Sequence, residues 1–333
     1  MSRAVWAWVR LLVGAAVLVV LVRRVGTGPF LDGLRAVDGP SLAAAVVLAL
    51  VTTVCSAWRW RVVARGLGVG LTLGAATAAC YRSQFLNTVL PGGVLGDVHR
   101  AVSHGRDAGD VGRGLRAVVW ERSAGQVLQV ALTVVVLLGL PSPVRPFLPV
   151  VLTALLVGAV VAALVLRALP RAGTGRLVRA VRAARTDVRD GLLARRSWPA
   201  VTLASLLVIA GHTATFVVAA RTAGVAAPTG QLLPLVLLVM LAMTLPTNVG
   251  GWGPREGAAA WLFALAGLGS AAGVSAATVY GVLVLAGTLP GAAVLVLAPV
   301  WRRRHPGDVA VGSVPTQRPG RPVAAPVEGA VRG

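Results

Sequence analysis

The residues of this chain that could do chemistry sit where its apolar sequence is interrupted. In FLNTVLPGGVLGDVHR (residues 85–100), Pro91, Gly92, Gly93 and Gly96 break an apolar run, and Asp97, His99 and Arg100 follow at once. In LPTNVGGWGPREG (residues 245–257), Gly250, Gly251 and Gly253 precede the pair Arg255-Glu256. A third charged pair, Glu121-Arg122, falls near the start of another apolar run. A charge at the centre of a bilayer costs about 2.5–3.5 kcal/mol on insertion scales, so ionisable groups there are functional candidates by default. Broken helices also expose backbone N–H groups that attract anions such as phosphate.

These residues define a candidate phosphate-binding set. Arg82, Arg100, Arg122 and Arg255 would hold the anion, and Asp97, Glu121 and Glu256 would balance them or bind an amine. Gly92, Gly93, Gly250 and Gly251 would supply open backbone. Asn87 and Asn248, each shortly before a Gly-Gly pair, would cap the broken helices or touch the ligand. Solvated interfacial charges, or ion pairs holding helices together, are the other readings of the same residues. Glu121 and Arg122 are adjacent, and adjacent residues of a helix do not face each other, so each should meet a different partner. His212, alone in the middle of an apolar run, reads as a hydrogen bond between helices, with a proton relay as the alternative.

The elements that must position these groups follow from composition. The 333 residues are 56% hydrophobic and 13% charged, with mean hydropathy +0.79, which excludes an ordinary soluble domain and implies a polytopic membrane protein. The net charge is +21 and every basic residue is Arg. Those arginines lie in loops between apolar runs, so the positive-inside rule explains them without nucleic acid. Cys55 and Cys80 lie within apolar runs without metal-ligand spacing. No disulfide, metal, cofactor or catalytic residue is expected. The absence of a Walker loop leaves no expectation of ATP hydrolysis within the chain.

Spans of about 20 residues are expected over 5–22, 41–57, 117–140, 147–166, 199–220 and 276–300. The stretch 73–96 has basic flanks on both sides. It reads as a re-entrant hairpin turning at residues 91–93, with a full crossing as the alternative. The stretch 231–268 has two apolar pieces too short to span, and reads as a second hairpin opening to the other side. The expected fold is thus an all-α polytopic membrane protein with about six full transmembrane helices plus two re-entrant hairpins, or eight helices, in an inverted-topology repeat. Residues 1–304 would form the membrane domain and 305–333 a disordered cytoplasmic tail. Residues 23–40 read as a loop. Residues 167–196, with nine Arg and two Asp, read as an amphipathic surface helix or a solvated connector. Trp6, Trp8, Trp58, Trp60, Trp120, Trp198 and Trp301 would mark the cytoplasmic headgroup zone, with both termini on that side.

Three segments carry a resemblance: LNTVLPGGVLGDVHRA (86–101), the Glu-Arg-x-x-Gly of 121–125, and PTNVGGWGPREG (246–257). Together they resemble the transmembrane region of the lysylphosphatidylglycerol synthase family, also called the flippase-like domain family, over residues 1–304. The resemblance implies a bacterial inner-membrane protein that moves a phospholipid or a lipid-linked headgroup between leaflets. Family members that also carry a soluble synthase domain make the aminoacyl lipid from aminoacyl-tRNA. The sequence given has no stretch for that domain, so lysyl transfer is not expected of it. The alternative is a membrane subunit of a lipid-modifying transferase working with a separate soluble catalytic or lipid-synthesis partner. A third reading is a scaffold whose 167–196 segment docks a partner.

Overall fold

In a computed structural model of the chain, residues 19–20, 22–90, 93–168, 175–244 and 252–304 are described. Most of the first expected span and the 305–333 tail lie outside them. The described residues are helical, with α1 (Gly28–Ala36), α2 (Gly39–Gly66), α3 (Leu73–Val89), α4 (Leu95–Asp107) and α5 (Val111–Gly139) making the first part. The rest comprises α6 (Leu148–Ala168), α7 (Arg176–Thr186), α8 (Trp198–Thr222), α9 (Thr229–Ala242), α10 (Pro254–Leu265) and α11 (Ser270–Arg304). Helices α2, α5, α8 and the 270–297 part of α11 are each long and apolar enough to cross a membrane. Helix α6, with 21 residues and about 31 Å of helix, is shorter than these but reaches the ~30 Å of the hydrocarbon layer.

Between these rods lie two pairs of short helices. Helices α3 and α4 have 17 and 13 residues, about 25 and 20 Å, and α9 and α10 have 14 and 12, about 21 and 18 Å. Each falls short of the ~30 Å hydrocarbon layer. The first pair opens at the N-terminal end of α5, to which α4 connects through the turn at Ala108 and Gly109. The second opens at the C-terminal end of α5. There the Gln231 side-chain amide donates to the Ala266 carbonyl (3.3 Å), in a recess shared with Leu140 and Pro141. The two pairs therefore open toward opposite ends of one long helix.

Each pair has its own apolar core. Ala57, Trp60, Ala76, Cys80, Ala101 and Ala117 pack around α3 and α4. Phe216, Leu232, Leu235, Val239, Phe263 and Tyr280 pack around α9 and α10. The small residues in the first core let backbones approach closely, the usual basis of helix association in lipid.

Four expectations change. Residues 95–107 form the return limb of the first pair, so Asp97 and Arg100 belong to a packed helix rather than a solvated loop. Residues 28–36 form a helix where a loop was expected; it docks on α11, where Ser275 donates to the Pro29 carbonyl at 2.7 Å. Trp60 is 1% exposed, buried against His104 and Arg100, because α2 continues to Gly66 and carries it inside rather than to the headgroup zone. Arg59, in the basic stretch that follows the expected 41–57 span, is buried for the same reason.

Candidate functional site

Helix α2 begins with a capping box in which Asp38 accepts from the Ser41 amide (2.8 Å), and it runs unbroken for 28 residues. This length brings Arg59 level with Glu121 of α5. Arg59 Nε donates to Glu121 Oε1 (2.8 Å), its Nη2 pairs with the same oxygen, and its Nη1 donates to Ser205 of α8 (2.9 Å). Glu121, 1% exposed, takes a second guanidinium on its other oxygen, Arg100 Nη2 at 3.0 Å. Arg100 in turn reaches Asp97 Oδ1 (3.1 Å), donates to Cys80 Sγ (3.1 Å), and lies 4.5 Å from the Trp60 ring. Arg122 pairs with the other oxygen of Asp97. Glu121 and Arg122 thus point to different partners, as their adjacency on the helix requires.

The hairpin break is held by side chains rather than by regular structure. Asn87 accepts from the Gly96 amide (2.8 Å) and donates to Asp97 Oδ2 (3.0 Å), while Ser83 donates to Asp97 Oδ1 (2.9 Å). Asn87 therefore caps the start of α4 from α3, serving an orphan donor of the first turn. A β-carbon at Gly96 would lie 2.0 Å from the Ser83 carbonyl oxygen, so only glycine permits this approach.

The second break mirrors the first in chemistry. Gly253, at φ 123°, starts α10, and its amide donates to Glu256 Oε2 (2.7 Å). Glu256 Oε1 accepts from Arg255 Nε (2.8 Å) and pairs with its Nη2. Arg255 lies 5.1 Å from the Trp252 ring and 5.5 Å from that of Tyr280. Glycines make room for both guanidinium groups. A β-carbon at Gly281 would sit 2.3 Å from Arg255 Nη2, and one at Gly125, the last residue of the Glu-Arg-x-x-Gly motif, 2.8 Å from Arg59 Nη1.

These two centres face one cavity of about 500 Å³, within the size range of small-molecule and headgroup sites. Its wall includes Asn87, Gly93, Asp97, Arg100, Glu121, Arg122 and Arg255 of the sequence-derived set. Arg82 lies on another face of α3, and Glu256 stands behind Arg255, saturated by its own helix start. Gly92, Asn248, Gly250 and Gly251 lie outside the described residues. Arg122 has a side chain 47% exposed and turns toward the open part of the cavity and the adjoining groove of about 550 Å³. In the Asp97–Glu121 centre, three guanidinium groups meet two carboxylates, leaving one formal positive charge; Arg255 and Glu256 balance.

Arg59 was not among the candidate site residues read from the sequence. The signal was available: Thr53, Ser56 and Arg59 recur at three-residue spacing along an otherwise apolar helix, and Thr53 indeed donates to Gln84 (2.9 Å). His212 also borders the cavity, with its Nδ1 3.3 Å from the Tyr280 hydroxyl, the interhelical hydrogen bond expected of it.

The bundle of spanning helices around two short helix pairs, with its buried ion-pair network, defines a multi-pass helical membrane protein. The chain belongs to the family described as the lysylphosphatidylglycerol synthase TM region, whose model matches residues 7–291. No curated protein and no solved structure matches it.

Proposed function

We propose that the chain is a lipid translocator, or lipid-binding permease, of a bacterial inner membrane, with both termini cytoplasmic and no ATPase of its own. The phosphate of a phospholipid or a lipid-linked headgroup would sit between the two helix pairs. One observation carries this reading: guanidinium groups from both pairs and from α5, Arg100 of the first pair, Arg255 of the second and Arg122 of α5, border a single cavity with net positive charge. Arg122 is the group a phosphate would meet first, and Asp97 is the carboxylate it would displace. An amine on the headgroup would find Asp97 in return. The opening of the two pairs toward opposite ends of α5 supports alternating exposure of the cavity, the mechanism general to inverted repeats.

Leaflet-resolved lipid exchange in proteoliposomes tests this. Exchange faster than in empty vesicles, and slowed by Arg122→Gln, is expected. Folded protein that leaves the rate at the empty-vesicle value would remove the proposal. The family's description favours a second reading, a membrane subunit of an aminoacyl-phosphatidylglycerol type transferase. Copurification of a soluble partner that yields aminoacyl lipid from aminoacyl-tRNA only when this chain is present would select it.

A further inference from the structure

A second cationic site lies away from the cavity, at the end of the bundle where α2 finishes and α5 begins. We propose that it binds the phosphate headgroup of an anionic lipid resident in the adjacent leaflet. The site is a recess of about 450 Å³ between Leu67, just past α2, the first turns of α5, and α7. Arg113, Arg116, Arg179 and Arg182 border it, with the Thr186 hydroxyl. Asp187 accepts from Arg116 Nε (2.8 Å) and the Trp120 indole (3.1 Å), and Asp110 lies 3.4 Å from Arg113. Four guanidinium groups bordering one recess supply the N–H donors that a phosphate-bearing anion takes.

The recess is built rather than incidental. Residues 187–192 form a turn of π-helix, a rare element often associated with function. It turns Asp187 in toward Arg116 and Trp120. It also lays Gly191 so close to α2 that a β-carbon there would meet Leu67 Cδ1 at 2.5 Å. The arginine-bearing helix is therefore fixed to the body of the protein, with Val178 buried and Arg179 and Arg182 exposed.

Its surroundings select a lipid over a soluble anion. Leu193 and Trp198, on the same segment, are both more than half exposed. Exposed apolar and indole groups beside arginines suit the boundary between headgroups and acyl chains. Juxtamembrane arginines attract anionic lipid at about 1 kcal/mol each. The site shares no residue with the cavity between the helix pairs and does not depend on that reading.

The test is native mass spectrometry of the full chain in phosphatidylcholine micelles titrated with phosphatidylglycerol. The Arg179→Gln/Arg182→Gln variant is expected to lose one saturable phosphatidylglycerol, its apparent affinity there falling at least about tenfold. Arg195→Gln/Arg196→Gln removes the same charge from the same segment outside the recess and is expected to keep it. Equal retention by the two variants, whether both bind or neither does, overturns the proposal. Inorganic pyrophosphate provides the second arm. If it binds through Arg179 and Arg182 and phosphatidylglycerol cannot displace it, the site serves a soluble anion and the lipid assignment is overturned.

Discussion

Arg59 and Arg100 share one carboxylate, and that sharing decides what each substitution should do. Glu121 binds one guanidinium on each oxygen. Removing its charge strips Arg59 of its carboxylate and leaves Arg100 with Asp97 alone, a change of about 3–5 kcal/mol when one partner of a buried pair is lost. Glu121→Gln should therefore lower the temperature at which the purified protein stays monodisperse, more than Arg122→Gln, whose side chain is half exposed. Gly281→Ala separates position from charge. It leaves every ionisable group in place but puts a methyl 2.3 Å from Arg255 Nη2. The guanidinium must leave its seat beside Trp252 and Tyr280, so lipid exchange is expected to fall several-fold with thermal stability little changed. Loss of stability with unaltered exchange would assign Arg255 to structure alone.

At the scale of elements, the two interruptions were legible because Pro and Gly punctuate helices whatever surrounds them. The limits of the limbs were not. Helix α4 has a polar sequence, and hydropathy alone reads such a stretch as a loop. Only its packing, with Asp97 and Arg100 turned to partners on α3 and α5, makes it part of the membrane structure. Helix α1 escaped for a related reason: with Asp32 and Arg35 in nine residues, it is stabilised by docking on α11 rather than by its own composition. Arg59 follows the apolar run 41–57, a position where arginine ordinarily marks the membrane edge, and only the continuation of α2 to Gly66 carries it inside. The joint between α3 and α4 offers a test. Asn87→Ala strips the Gly96 amide of its acceptor at a cost of about 1–2 kcal/mol. Amide hydrogen exchange should quicken in the first turn of α4 while the middle of α3 keeps its protection.

Across the whole molecule, the α3–α4 and α9–α10 pairs open toward opposite ends of α5. Single cysteines make this measurable. In a Cys55→Ser background, with Cys80 buried, Ala108→Cys at the end of α4 and Ser270→Cys just after α10 should react with an impermeant maleimide from opposite faces of the membrane. Labelling of both from one face would end the alternating-exposure model, since the cavity would then have a single entrance.

The exclusive use of arginine has a consequence for how the cavity responds to acid. A guanidinium keeps its proton at any pH a cell meets. Arg59, Arg100, Arg122 and Arg255 are therefore permanent cations, and the other ionisable groups in the wall, Asp97, Glu121 and His212 among them, can only become more positive as protons are added. Acid nevertheless finds little to protonate there: Asp97 and Glu121 are each paired with two guanidinium groups, so a proton on either would strand the cations around it, and His212 lies among the same fixed charges. The grip on an anionic guest is therefore set by permanent charge, and binding of a fluorescent phosphatidylglycerol, followed from pH 8 to pH 5, should change little. A proton gradient across the bilayer would then give this cavity no direction by itself; the direction would have to come from the lipid or from a partner.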